Sequence, residues 1–243
     1  MKKNNSLFKT NVFKRFQLAL LTLFFSSSSL FAGSLTGTVT TSTTAVDLNV
    51  VGVTDWIHYY STVNRKVGKT SISNFSRIGA GATEYTSTIG RPLSWTNGTP
   101  TTSSTNNKNA LKVVGVGNGF SFTVPAHTLT STLYVYVSGA TSTGKLTATL
   151  SDGSAAAYVN SQSAASGAYI ANYTLTFKAN SPGQTLTVKW ELTAGTGNVC
   201  FFKGICIILL FKTICPCTNN ACFNVRFIGF FVVFLSWICS FGN

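Results

Sequence analysis

Between about Val46 and Val199 the apolar residues recur at every second position, and the period never lengthens to the 3.6 of a helix. Val46, Leu48 and Val50 alternate with Asp47, Asn49 and Val51, and Phe120, Phe122 and Val124 alternate with Ser121 and Thr123. Leu133, Val135 and Val137 share one face, opposite Tyr134 and Tyr136. Leu146, Ala148 and Leu150 repeat the pattern, as do Tyr173, Leu175 and Phe177, and then Leu186, Val188, Trp190 and Leu192. Branched and aromatic side chains suit a half-buried pleated surface, so each run predicts a strand. Gly79-Ala80-Gly81, Asn97-Gly98, Gly117-Asn118-Gly119, Asp152-Gly153, Pro182-Gly183 and Gly195-Thr196-Gly197 separate the runs. Glycine and asparagine tolerate the positive φ that tight connections demand. Eight or so short strands at this spacing predict an all-β fold, an antiparallel two-sheet β-sandwich of jelly-roll type.

The flanks read differently. Lys2, Lys3, Lys9, Lys14 and Arg15 precede an apolar stretch from Phe16 to Phe25 and a small-residue segment, Ser26–Gly33. That order fits a cleaved export signal over residues 1–32, with Ala32 as the last residue removed; the apolar stretch is too short to span a bilayer as a helix. Residues 33–45 form a Thr/Ser-rich lead-in, expected as a linker or a frayed first strand. The sandwich itself is expected over 46–199. All six cysteines then fall within residues 200–243, a hydrophobic, Cys-rich tail with nine phenylalanines and no acid. Two readings of this tail stay open. It is either the product of a reading-frame slip near Val199, or a membrane anchor through residues 227–241, which is short for a spanning helix. Cys215-Pro216-Cys217 has the spacing of neither a zinc knuckle nor a usual disulfide framework. The expected location is extracellular or at the cell surface, with membrane anchoring through the tail as the alternative.

Charge changes this picture little. The formal net charge is +13, but five of the cations belong to the signal. Between Ser34 and Val199 ten basic residues face five acidic ones, scattered apart from Arg65, Lys66 and Lys69. A nucleic-acid surface normally shows a basic stripe or a motif, so no nucleic-acid partner is expected.

Catalytic chemistry is thinly supplied. The only carboxylates are Asp47, Asp55, Glu84, Asp152 and Glu191. Asp152 belongs to a turn, and Asp47 and Glu191 sit in strand patterns. Asp55 and Glu84 remain as an acid pair for glycoside hydrolysis, which requires two carboxyls facing one bond. Nothing in the spacing brings them together, and no enzyme activity is expected. His58 and His127 stand apart without cysteines nearby, so no metal and no cofactor is expected.

Asp55–Lys69 is the segment richest in recognition chemistry. Trp56, His58, Tyr59 and Tyr60 run directly into Asn64, Arg65 and Lys66, and Trp95 offers a second wall. Flat rings stack on the apolar faces of sugars, while Asn, Arg and His supply directional hydrogen bonds. Trp56, His58, Tyr59, Tyr60, Asn64, Arg65 and Trp95 are therefore the candidate ligand-binding residues, for a polysaccharide or cell-surface glycan. The competing reading makes Trp56 and Trp95 core residues that plug the end of the sandwich.

Several of these segments also resemble a family. Val46-Asp47-Leu48, Asp55-Trp56-Ile57-His58, Asn64-Arg65-Lys66, Ile72-Ser73-Asn74-Phe75, Ser94-Trp95-Thr96-Asn97-Gly98-Thr99-Pro100, Gly117-Asn118-Gly119-Phe120 and Leu150-Ser151-Asp152-Gly153-Ser154 look like a β-sandwich module of secreted bacterial proteins. That module is similar in plan to galactose-binding-like, jelly-roll carbohydrate-binding domains that accompany glycosidase and adhesin domains. The resemblance spans roughly 46–199 and implies a non-catalytic binding role, or a spacer or adhesin module without a ligand of its own. The family continues into a short last strand, where this chain changes composition instead.

Overall fold

A computed structural model of the chain describes residues 33–86, 88–209, 222–228 and 231–237. The N-terminal part consists of short elements: β1 (Ser34–Thr40), β2 (Val46–Asp47), one helical turn α1 (Leu48–Val51), β3 (Asp55–His58) and β4 (Asn64–Lys66). β5 (Ser76–Ile78), β6 (Thr83–Thr86), β7 (Leu93–Trp95), β8 (Gly98–Thr99) and β9 (Ser104–Asn107) continue in the same style. Longer strands follow: β10 (Ala110–Val114), β11 (Gly119–Ala126), β12 (Ser131–Leu150), β13 (Tyr158–Lys178) and β14 (Gln184–Leu209). β15 (Cys222–Ile228) and β16 (Phe231–Trp237) pair with each other as an antiparallel hairpin. The described residues are nearly all β, with antiparallel pairing throughout except the two-residue parallel contact of β2 with β7.

β12, β13 and β14 form the frame, and each contributes to both layers. β12 lies between the other two, and its register breaks between Ala140 and Ser142 against both neighbours. Before the break it pairs with the far half of β13 and the end of β14; after it, with the near half of β13 and the start of β14. β1 extends the first layer alongside β13, and β11 and β5 extend the second alongside β14. The halves of one strand thus meet across the core. Tyr173 Oη donates to Asn160 Oδ1 at 3.0 Å, 13 residues earlier in the same strand.

The alternating residues fill that interior as the pattern predicts. Phe120, Phe122, Val124, Leu133, Val135, Val137, Leu146, Ala148 and Leu150 are all buried in one cluster with Tyr173, Leu175, Phe177, Leu186, Val188, Trp190 and Leu192. Packing is close enough to require a missing side chain at Gly144, where a Cβ would stand 2.2 Å from the Trp190 ring. The other face of the first layer is covered too. Tyr136 is buried there in a second, smaller cluster with Val46, Leu48, Trp56, Leu93 and Trp95.

Two expectations need correcting, the strand at 46–51 and the end of the sandwich. The predicted strand from Val46 to Val51 survives for only two residues before the chain turns into α1. Asp47 caps that turn, its Oδ1 accepting from Asn49 N at 2.8 Å, which satisfies a donor the helix leaves open. Leu48 is consequently buried while Val50 is 61% exposed. Of the two forms expected for the Thr/Ser-rich lead-in, a linker or a first strand, it takes the strand along Ser34–Thr40, paired residue for residue with Lys178 down to Asn172.

The sandwich also does not stop at Val199. β14 continues to Leu209, pairing with Leu111 and Lys112 of β10, with β12, and, at residues 205–207, with β3. Ile205 and Ile207 are fully buried in the main cluster. The first ten residues of the Cys-rich tail therefore supply the closing strand. The signal over 1–32 and the cleavage site at Ala32 lie outside the described residues. Of the candidate anchor 227–241, the described part belongs to β15 and β16, and no helix among the described residues is long and apolar enough to cross a membrane.

Candidate functional site

All four residues of β3 are buried, because the strand lies between β14 and β4 with the main core on one side and the second cluster on the other. A strand buried on both faces cannot alternate, which is why Asp55-Trp56-Ile57-His58 carries two polar residues inside. Each has an internal partner. Asp55 Oδ2 accepts from Ile72 N at 3.2 Å, and His58 Nε2 lies 3.0 Å from the Asn109 carbonyl oxygen. Burial pushes the Asp55 carboxyl above its ordinary value, against the pull of the Ile72, Trp56 and Ser71 N–H groups and of the Arg65 charge.

The aromatic residues of the candidate segment are packed rather than displayed. Trp56 and Trp95 pack against each other, tilted by 43° with centroids 5.5 Å apart, and the His58 ring centroid lies 5.1 Å from that of Trp95. Trp56 Nε1 donates to Asn97 Oδ1 at 3.2 Å, and Trp95 Nε1 donates to the Thr101 carbonyl at 3.0 Å. Tyr59 donates its hydroxyl to the Ser73 carbonyl and meets Phe75 edge-on at 5.4 Å; burial pushes that hydroxyl's pKa far up.

Polar members are equally committed. Asn64 Oδ1 accepts from Thr101 N at 3.0 Å. Arg65 donates through Nη1 to the Ile72 carbonyl at 2.7 Å and through Nη2 to Asn74 Oδ1 at 2.6 Å. Lys66 Nζ donates to the Gly52 carbonyl at 3.0 Å and also to that of Val53. Together these bonds tie the loops at 52–54, 71–74 and 97–102 to β3 and β4. The structure thus brings six of the seven candidates into one interlocked knot, and Trp56, His58, Tyr59, Asn64 and Trp95 are buried in it. The two tryptophans face each other and the protein; they do not offer an open wall.

Tyr60 is the exception. It lies two residues past the end of β3, is only half-buried, and meets Tyr85 of β6 edge-on with centroids 5.2 Å apart. Tyr85 is 51% exposed. Among the described residues β6 pairs only with β10, at the edge of the sheet, and it sets Tyr85 opposite buried Leu111 and Glu84 opposite Lys112. Successive side chains alternate faces, so Tyr85 continues the inner face of the sheet past its last neighbour and out to the rim. Glu84 on the other face forms an ion pair with Lys112 at 2.8 Å. Tyr85 escaped the sequence reading because Thr83–Thr86 is too short to show a period. The Glu-Tyr-Thr order at a strand edge was the available signal.

The two carboxylates considered for hydrolysis are each occupied elsewhere. Asp55 is buried against Ile72, and Glu84 is exposed and paired with a lysine. Among the described residues no group of three or more His, Cys, Asp or Glu is gathered to hold a metal ion.

No family model matches the chain. No curated protein matches it either. Among solved structures it is similar to the enzymatically active domain of tailspike protein 4 of bacteriophage CBA120, at 13% identity and a TM-score of 0.34. The match covers 57% of this chain and 20% of that one, so the chain spans about a fifth of that protein's length.

Proposed function

We propose that the chain is an exported, non-catalytic β-sandwich module of the galactose-binding-like kind that binds carbohydrate at a surface, through the ring pair Tyr60–Tyr85. The observation that carries this reading is the exposure of Tyr85 and the partial exposure of Tyr60 beside a knot in which Trp56, Tyr59 and Trp95 are sealed. A half-exposed ring held by a neighbouring ring is a ready face for a sugar, and its hydroxyl supplies a polar tip. Tyr60 is fixed in place because β3 before it is buried on both faces. In this reading Trp56, His58, Tyr59, Asn64, Arg65 and Trp95 position the platform and do not touch the ligand. Export rests on the N-terminal order of basic, apolar and small residues.

A second reading has its own support. The internal hydrogen bonds of the Trp56–Lys66 segment are what a spacer needs, since they stiffen a module without presenting anything. A glycan array followed by polysaccharide pull-down separates the two. The full chain is expected to bind at least one neutral or acidic glycan, and Tyr60→Ala and Tyr85→Ala are each expected to weaken binding with an unchanged thermal midpoint. Absence of binding across a broad panel overturns the binding reading and leaves the spacer.

A further inference from the structure

The three long strands bend at one level, and a groove of about 330 Å3 opens at the bend. Thr141, Ser142 and Thr143 of β12 form its floor, Ser163 of β13 one wall, and Gly195 and Thr196 of β14 the other. Across the bend the register slips on both sides. Ala140 and Ser142 of β12 face Ala168 and Ala164 of β13, so three residues there oppose Thr141 alone. On the other side Ala140 and Ser142 face Asn198 and Gly195, and two residues oppose it. Irregularities of this kind re-aim side chains and recur beside functional sites.

The way each strand makes the bend differs. β13 and β14 turn at glycines, Gly167 with φ 72° and Gly195 with φ 97°, where the left-handed region costs nothing sterically. β12 makes the same turn with Thr141 at φ 46°. A β-branched residue in that region is strained, and such strain persists where the surroundings enforce it and often marks a site. The residue at which glycine would have removed the strain is thus a hydroxyl-bearing one in the lining of the groove. Ser142 beside it is buried, donates to the Asn198 carbonyl at 2.7 Å and lies 3.5 Å from the Tyr169 hydroxyl, which ties the bend to β13 and β14.

We infer that this groove is a second binding site, separate from Tyr60 and Tyr85 and carried by different strands, and that it takes one uncharged sugar residue of a glycan. Four features set the class. The volume lies at the lower end of small-molecule sites, enough for a single ring. Five of the lining residues carry hydroxyls, and apart from buried Ser142 those of Thr141, Thr143, Ser163 and Thr196 are at least partly exposed; a hydroxyl both donates and accepts and so matches sugar hydroxyls in either direction. None of the described residues lining the groove is charged, so none of them compensates the desolvation of a carboxylate or sulfate. None of them is aromatic either, so recognition by these residues is by hydrogen bonding rather than stacking. This inference does not depend on the Tyr60–Tyr85 reading.

Amide-resolved NMR of the full chain, titrated with methyl glycosides of neutral hexoses, tests it, with the corresponding uronic acids as charged controls. Saturable shifts are expected at the amides of 141–143, 163–165 and 195–196 with a neutral glycoside, and none there with the uronic acids. Ser163→Trp, at an exposed position, fills the groove and is expected to abolish the shifts. Thr141→Gly removes one hydroxyl and the strain together, and is expected to weaken binding about tenfold without lowering the thermal midpoint. Tyr85→Ala is expected to leave the shifts intact, which keeps this site distinguishable from the platform. The inference is overturned by an absence of saturable shifts with every neutral glycoside, by shifts that survive Ser163→Trp, by uronic acids binding as well as neutral sugars, or by a second copy of the chain occupying the groove in a concentration-dependent dimer.

Discussion

The stretch from Ala110 to Leu209 and the stretch from Val46 to Asn109 belong to one sandwich but are held together in different ways. In the first, β11, the two ends of β12, the second half of β13 and the start of β14 bury alternate side chains, and long backbone ladders hold the strands together. In the second, strands of two to four residues are too short for that, so side chains take over the work of the ladder. Trp56 holds Asn97, Trp95 and Asn64 hold Thr101, Arg65 and Asp55 hold Ile72, and Tyr59 holds Ser73. Buried backbone groups must find a partner somewhere, and short strands shift that burden onto specific residues. The first stretch should therefore tolerate apolar exchange and resist loss of volume. The second should tolerate neither loss of its polar groups nor a change in their geometry.

The largest test of this contrast is to end the chain at Val199. That change removes Ile205 and Ile207 from the main core and takes away the strand against which β3 pairs. Loss of a buried isoleucine side chain alone costs about 2–5 kcal/mol, so the shortened chain is expected to lose roughly 5 kcal/mol or more, read as a lower urea midpoint. An unchanged midpoint would place the end of the sandwich at Val199 after all. Trp190→Ala should come next, at about 3–5 kcal/mol, because Gly144, Tyr169 and Tyr173 all pack around that ring. Its effect should be global. Trp95→Ala, in the second cluster, should instead speed amide exchange chiefly within 46–109, since the long strands keep their own core. Equal acceleration across β12–β14 would dissolve the distinction between the two stretches.

The same contrast explains what was legible in the chain. Period-two alternation is a property of a strand with one wet and one dry face, and Phe120–Val124 and Leu186–Leu192 could be read directly. β3 has two dry faces, so Asp55 and His58 looked like site chemistry when they are internal ties. Trp56 and Trp95 carried the chemistry of a sugar site and of a core equally well, and only their mutual contact decides which is seen. Asp47 turned an apolar alternation into a helical turn through one capping bond. Residues 200–209 were obscured for a different reason. Their composition changes abruptly while their alternation continues, with Ile205 and Ile207 inside, and a register set by β12 and β3 is invisible in the local text. The groove at Thr141 needs three strands to bend together, which no single segment announces.

A smaller effect should come from the ties themselves. Arg65→Met keeps much of the stem but loses the bonds to Ile72 and Asn74, and is expected to cost about 2 kcal/mol. Asp55→Asn tests the same knot through pH. Because burial raises the Asp55 pKa above its ordinary 3.8, the folded state holds a proton that the unfolded state has already released. Its contribution is therefore most favourable below pH 3.8 and is lost as pH rises through the folded value. Asp55→Asn should flatten that decline in a series of urea midpoints; a decline of the same slope in the variant would assign it to another group.

Asp152 provides the opposite sign and the smallest change. It sits in the turn between β12 and β13, where slight burial raises its pKa but is outweighed by the Ser154 hydroxyl and by the N–H groups of Ser154 and Asn180. Those donors stand 2.7, 3.1 and 2.8 Å from the carboxylate. The net depression means that its stabilisation is fully present above pH 3.8 and is lost as pH falls through the folded value. Asp152→Ala should cost only about 1 kcal/mol at neutral pH, because the turn is wet and solvent can replace the lost acceptor. Its signature is the pH at which the cost disappears. The midpoints of the variant and the parent chain should converge on acidification below 3.8, the range in which the Asp55 contribution is at its most favourable. If they stay apart there, the turn is held by the shape of Asp152 rather than by its charge, and the polar ties of the long-strand half differ less from those around β3 than the fold implies.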